Sequence, residues 1–274
     1  PALENTDPRY RASIAQSNAY WGDQPGTSGP VYVGAIVCFL FILGLFIVKD
    51  KIKWVLLAAT ILSILLSWGK NFMGFTDFFL DYFPMYNKFR AVSMTLVIAE
   101  VCMPILAFLA LAEVIRNPEC LKNNKIYLYI SFGLTAGLCL LFYVAPNIFF
   151  NFLSQSEASQ FAQLGAGKDG AIYQMFANEL ENVRVAIFKK DAIRSFLFIS
   201  ISAIVLLINI NGKLKNNAMF AILTVLIVFD MFPINKRYLN NDNFIEKKVL
   251  FCLLVKKNNI PLQPLKLKRE YESY

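Results

Sequence analysis

Long apolar runs separated by short charged turns dominate this chain. Six runs stand out, at 31–48, 52–68, 91–115, 126–149, 192–210 and 218–233. A helix rises about 1.5 Å per residue, so runs of this length suit the roughly 30 Å hydrocarbon layer of a bilayer. The pattern predicts an all-α fold, a polytopic transmembrane helical bundle of about six spans. The second run is the marginal one. Pro104 is expected to kink the third span, and Pro146 lies near the exit of the fourth.

Residues 69–90 read GKNFMGFTDFFLDYFPMYNKFR, too polar for a span and too aromatic for an ordinary loop. At 100° per residue Phe72, Phe75, Phe79, Tyr82 and Phe83 fall on one arc, while Asp77 and Asp81 share the opposite face. That predicts an interfacial amphipathic helix. It should end near Phe83, because Pro84 disfavours helix at the residue before it. The other sizeable connection is 151–190. There Ser154-Gln155-Ser156-Glu157 has capping-box spacing, 165–170 is a glycine-rich turn, and Ile172, Phe176, Leu180, Val183 and Ile187 recur at helical spacing. A second interfacial helix is expected from Ala171. Residues 1–30 read as a polar segment before the first span, and 235–274 as an external tail. Periodicity is lost after 248, and the apolar run 249–255 is too short to span. A truncated or frame-changed reading is expected there, over a natural end.

Composition narrows the chemistry. Of the residues 57% are hydrophobic and 25 are Phe, an excess held in the long runs. The net charge is +8, but Lys and Arg cluster at the ends of runs, where membrane topology wants them, so no nucleic-acid partner is expected. With no His, the chain holds neither a Ser-His-Asp triad nor a Cys–His pair nor a common zinc site. Acid–base work falls to carboxylates, Lys, Tyr or Cys. Cys38, Cys102, Cys120, Cys139 and Cys252 form no C-x-x-C pair and read as packing residues.

The three shortest loops carry Lys49, Lys51 and Lys53, then Arg116, Lys122 and Lys125, then Lys213 and Lys215. Alternate loops share a side, so these go to the cytoplasm. Residues 1–30, 69–90, 151–190 and 235 onward then face outward, with Lys70, Lys88, Arg90, Lys189, Lys190 and Arg194 against the rule.

Several polar residues are candidates for function. Asp77 and Asp81 repel one another at i, i+4, so helix stability does not explain them. They suit a divalent cation holding a diphosphate, or a general base, or a solvated face balanced by Lys70, Lys88 or Arg90. Tyr86, Asn87, Lys88 and Arg90 sit at the mouth of the third span, where a lipid phosphate would lie and where Lys and Arg also snorkel. Trp21 and Asp23 are further substrate-binding candidates, and Tyr20, Trp21 and Tyr32 suit an aromatic belt. Glu100 is placed near mid-depth of the third span, where a carboxylate costs about 2.5–3.5 kcal/mol and needs a partner or water. Asp230 lies near the outer end of the last span, with Lys236 a possible partner.

Tyr20-Trp21-Gly22-Asp23-Gln24-Pro25, Thr27-Ser28-Gly29-Pro30-Val31-Tyr32, Ser67-Trp68-Gly69, Phe83-Pro84-Met85-Tyr86-Asn87-Lys88-Phe89-Arg90, and Asp230 with Asn235-Lys236-Arg237-Tyr238 occur in this order. Together they resemble the bacterial YfhO membrane proteins, over roughly residues 1–248. That family is similar to C-type glycosyltransferases, which take sugar from a polyprenyl-phosphate carrier outside the cytoplasmic membrane. The resemblance implies part of such an enzyme, acting on an envelope polymer or lipid. It also places the usual catalytic carboxylate in a first external loop upstream of this chain. A transporter or flippase centred on Glu100, or an assembly subunit without chemistry, are the alternatives.

Overall fold

A computed structural model describes residues 6–17, 31–83, 86, 92–167 and 170–238. The chain divides into two units, Pro1–Ile234 and Asn235–Tyr274. In the second, the described residues 235–238 are helical. Among the described residues the fold is all-helical, without strands. Its helices are α1 (Pro8–Gln16), α2 (Ala35–Ile47), α3 (Ile52–Ser67), α4 (Met73–Tyr82), α5 (Val97–Arg116), α6 (Pro118–Lys122), α7 (Ile126–Val144), α8 (Pro146–Phe149), α9 (Gln155–Gly165), α10 (Gly170–Ile210) and α11 (Asn216–Tyr238).

Apolar helices occupy all six expected positions. Among the described residues four are long and apolar enough to cross a membrane: Ser93–Arg116, α7, α10 and Asn216–Arg237. α2 and α3 are shorter, with 13 and 16 residues. The first expected span shortens because Gly34 takes φ 101°, which suits a residue without Cβ, and Val31–Val33 are not helical. Extended chain rises about 3.3 Å per residue, so residues 31–34 add reach to the roughly 20 Å of α2.

α2 is apolar all round, as a helix with no solvent face should be. Phe39, Leu40, Leu43 and Ile36 are fully enclosed, packed among α5, α7 and α10. Gly44 sets the approach to α5, since a Cβ there would lie 2.9 Å from Leu106 Cγ and 3.0 Å from its carbonyl oxygen. α3 is joined to the 3₁₀ turn that leads into α5, Val92–Leu96, through a reciprocal clasp. Ser63 Oγ donates to the Thr95 carbonyl at 2.7 Å, and Thr95 Oγ1 to the Ser63 carbonyl at 3.3 Å. Such bonds are favoured where water is absent and backbone acceptors have no other partner. At the opposite end Phe46 stacks on Tyr127 at 5.7 Å, and Lys53 Nζ caps α2 through the Leu45 carbonyl at 2.8 Å.

Two sequence expectations change, and the polar segment 1–30 holds a short helix. Asp7 caps α1, accepting the Arg9 N–H at 3.0 Å, with Pro8 at the first helical position. The fourth span ends at Val144, five residues early, and Pro146 restarts the chain as α8. The second expected interfacial helix is not a separate element. It is the first half of α10, which runs unbroken for 41 residues into the fifth span. Lys189, Lys190 and Asp191 end the apolar pattern but are tolerated in helix, and no Gly or Pro interrupts the chain there. At about 1.5 Å per residue α10 is roughly 61 Å long, twice a bilayer core, so its amphipathic half extends beyond it.

That half carries its own small core. Ile14 of α1 packs with Leu180 and Val183, flanked by Phe161 and Phe176. Ser154 caps α9 by the expected reciprocal box with Glu157. Glu157 in turn receives both ends of the Arg184 guanidinium, at 2.8 and 2.7 Å, and Arg184 also donates to the Phe152 carbonyl at 2.8 Å. Arg184 is 1% exposed. Its guanidinium holds the Glu157 carboxyl below the usual carboxylate range. Phe142, Phe150 and Phe152 pack around Phe188, joining the exit of α7 to the same region of α10.

Candidate functional site

The most enclosed charge in the apolar bundle is Asp230, on α11, with 0% exposure. An isolated carboxylate there would be expelled or neutralised, so its partners define the site. Its Oδ2 accepts the backbone N–H of Ala35 at 2.7 Å, and its Oδ1 accepts the Tyr32 hydroxyl at 2.9 Å. Ala35 opens α2, whose first N–H groups lack intrahelical partners and carry partial positive charge. Asp230 therefore supplies, from another helix, the cap that Gly34 lacks a side chain to provide.

Arg194 of α10 completes the cluster. Its Nη2 lies 3.6 Å from Asp230 Oδ1 and donates to the Tyr32 hydroxyl at 3.4 Å, and its guanidinium stands 5.7 Å from the Tyr32 ring centre. Its Nη1 is 4.0 Å from Asp191, one turn earlier. Nε and Nη1 are buried and make no hydrogen bond. The Tyr32 hydroxyl also accepts the Ala35 N–H at 3.2 Å. Three elements distant in sequence thus converge on one polar point at the start of the central helix.

Asp230 does lie toward the end of the last helix, but the fold encloses it, and the cation beside it is Arg194 and not Lys236. In the sequence pattern Arg194 is a flanking charge and Tyr32 a belt aromatic; the fold makes both its partners. The signal for their role was available: opposite charges at the same end of two successive spans, Arg194 near the start of one and Asp230 near the end of the next, are expected to pair.

The aromatic arc of α4 is present. Phe72 stacks on Phe75 at 5.6 Å, Phe75 meets Phe79 at 5.0 Å, and Phe79 meets Phe83 at 5.1 Å and Tyr86 at 5.7 Å. α4 ends at Tyr82, with Phe83 extended at φ −99°, ψ 116° as the following proline demands. Thr76 fixes the helix from beneath, its hydroxyl donating to the Gly69 carbonyl at 2.8 Å. Asp77 and Asp81 are exposed and, among the described residues, make no hydrogen bond or ion pair. No cluster of three or more metal-ligating side chains occurs among the described residues. Tyr86 is buried, and burial pushes its hydroxyl up. Trp21, Asp23, Asn87, Lys88 and Arg90 lie outside the described residues. Glu100 falls in the first turn of α5, which a 3₁₀ stretch, Val92–Leu96, precedes.

Phe46–Tyr127, Lys53–Leu45 and Lys125–Asn211 meet at one end of the helices; Ser63–Thr95 and Phe142–Phe188 meet toward the other, so Tyr32, Arg194 and Asp230 share that second end with α4, the first turn of α5 and the α9–α10 extension. No family model, curated protein or solved structure matches this chain.

Proposed function

We propose that this chain is part of an integral membrane protein of a bacterial cytoplasmic membrane. In this reading it uses a polyprenyl-phosphate-linked sugar to modify an envelope polymer or lipid, with its polar end outward. The observation that supports this is the gathering of polar elements at one end of the apolar helices. The Asp230 cluster, the exposed Asp77 and Asp81 on an aromatic-faced helix, and the pinned α9–α10 extension all lie there. A carrier with its phosphate at the headgroup layer meets that end first. The resemblance to the YfhO proteins supplies the reaction class. Asp77 and Asp81 are exposed and open to a divalent cation.

The test is sugar transfer in membranes by the full-length protein carrying Asp77→Asn with Asp81→Asn, at matched expression. Loss of transfer supports a role for this helix in the reaction. Undiminished transfer leaves α4 a collar seated at the membrane surface. Glu100 favours transport as the second reading, since among the described residues it makes no hydrogen bond or ion pair although it lies in a span. Lipid-substrate movement without sugar transfer, abolished by Glu100→Gln, would select that reading.

A further inference from the structure

Arg194 is poorly used by the cluster it belongs to. A guanidinium offers five N–H donors. Here one nitrogen makes a single long bond, 3.4 Å to Tyr32, while Nε and Nη1 make none. Asp230 does not depend on it for hydrogen bonds, because Tyr32 and the Ala35 N–H serve both its oxygens at 2.9 and 2.7 Å. The start of α2 adds partial positive charge to the same carboxylate. Arg194 can therefore turn away without stranding Asp230, and its own unused donors favour an acceptor that fills them.

The position indicates which acceptor. Arg194 is the third residue of the apolar run 192–210, the depth at which headgroup phosphates lie. Lys190 is exposed on the same helix face, four residues earlier, with Lys189 beside it. Three cations thus face two carboxylates, Asp191 and Asp230. The Arg194 side chain is 20% exposed while its Nε and Nη1 are buried, so these donors meet an outside acceptor once the guanidinium turns away from Asp230. We propose that Arg194, supported by Lys190, is a binding site for the phosphate of an acidic phospholipid, held by charge-assisted N–H···O bonds. This inference rests on the chain spanning a membrane and not on the sugar-transfer reading.

The experiment is lipid retention by native mass spectrometry. The full chain is released from nanodiscs of phosphatidylcholine alone, with added phosphatidylglycerol, or with added polyprenyl monophosphate. Wild type is expected to retain phosphatidylglycerol, and Arg194→Gln to lose it roughly tenfold, the effect of one hydrogen bond to a charged group. Asp230→Asn keeps an oxygen for the Ala35 N–H and removes the charge that competes for Arg194, so among the molecules that fold it is expected to retain the lipid at least as well as wild type. Arg194→Lys, which keeps the charge and loses the fork, is expected to fall between and covers the case in which the Gln variant fails to fold. Equal retention by Arg194→Gln would overturn the proposal. So would equal loss in Asp230→Asn, which would make Arg194 a packing partner only. Retention of polyprenyl monophosphate without phosphatidylglycerol would reassign the site to a carrier lipid, and displacement by inorganic phosphate would reassign it to a soluble anion. Retained phosphatidylglycerol in a full-length protein without sugar transfer would leave this inference standing and sink the earlier one.

Discussion

The carboxylate of Asp230 accepts the backbone N–H of Ala35 at 2.7 Å across 195 positions of sequence. One residue of the last helix thereby closes the open end of the most enclosed one. Replacing Asp230 by Ala removes the cap and leaves Arg194 without its nearest buried carboxylate. It is expected to lower stability by about 3 kcal/mol, near the lower end for breaking a buried pair. Tyr32→Phe loses one hydrogen bond and is expected to cost about 1 kcal/mol. Denaturant or thermal unfolding in a fixed detergent measures both, and equal small effects would mean that the cluster does not hold α2 to α11.

Gly44 tests the close approach of α2 to α5. Gly44→Ala places a methyl against Leu106 and is expected to cost about 1–3 kcal/mol. Gly137→Ala on α7 meets nothing within 4 Å and is expected to be neutral or to stabilise by up to about 1 kcal/mol, through helix propensity. The same unfolding assay checks the contrast in sign.

The Glu157–Arg184 pair makes the extension sensitive to acid. The folded carboxyl titrates below its ordinary 4.5, chiefly through its hydrogen bond with Arg184. A depressed folded value means the pair's stability is complete above the unfolded value and is lost as pH falls through the folded one. Amide exchange in α9 is expected to accelerate below about pH 4.5 while α5 and α7 hold. Glu157→Gln should flatten that dependence and raise α9 exchange at neutral pH, because Arg184 is left buried beside a neutral amide.

Single cysteines in a background with the native ones replaced test the topology. Positions 77 and 175 are both exposed and are expected to react with a membrane-impermeant maleimide from one side. Positions 49, 122 and 213, at the basic loops, are expected to react from the other. Labelling of 77 and 175 from opposite sides would undo the six-span arrangement.

The apolar helices were legible because a bilayer-length run needs no tertiary information to be recognised. The Ser154 capping box and the Phe83 stop were legible because each is a local rule with a local cause. What escaped depended on distant partners. Asp230 looked inexpensive near a helix end, and only folding shows it enclosed beside Tyr32 and Arg194. Nothing local marks the partner of Arg184, which the fold buries on Glu157, 27 residues away. The length of α10 is hidden for another reason: Lys189–Asp191 end the hydrophobic pattern, which marks a change of surroundings and not of element. α1 is signalled only by its own cap, Asp7 followed by Pro8.

The unbroken course of α10 joins two surroundings mechanically. Its first 22 residues, 170–191, carry the small core with α1 and α9, and the remainder lies among the apolar helices. A helix without a Pro or Gly break has no hinge at which to absorb a change at one end, so the junction near Arg194 would act as a fulcrum. With an outer arm of about 33 Å, a tilt of about 10° within the bundle carries the tip some 6 Å sideways. Small repacking around Tyr32 and Asp230 would thus be magnified into a visible swing of the outer helices.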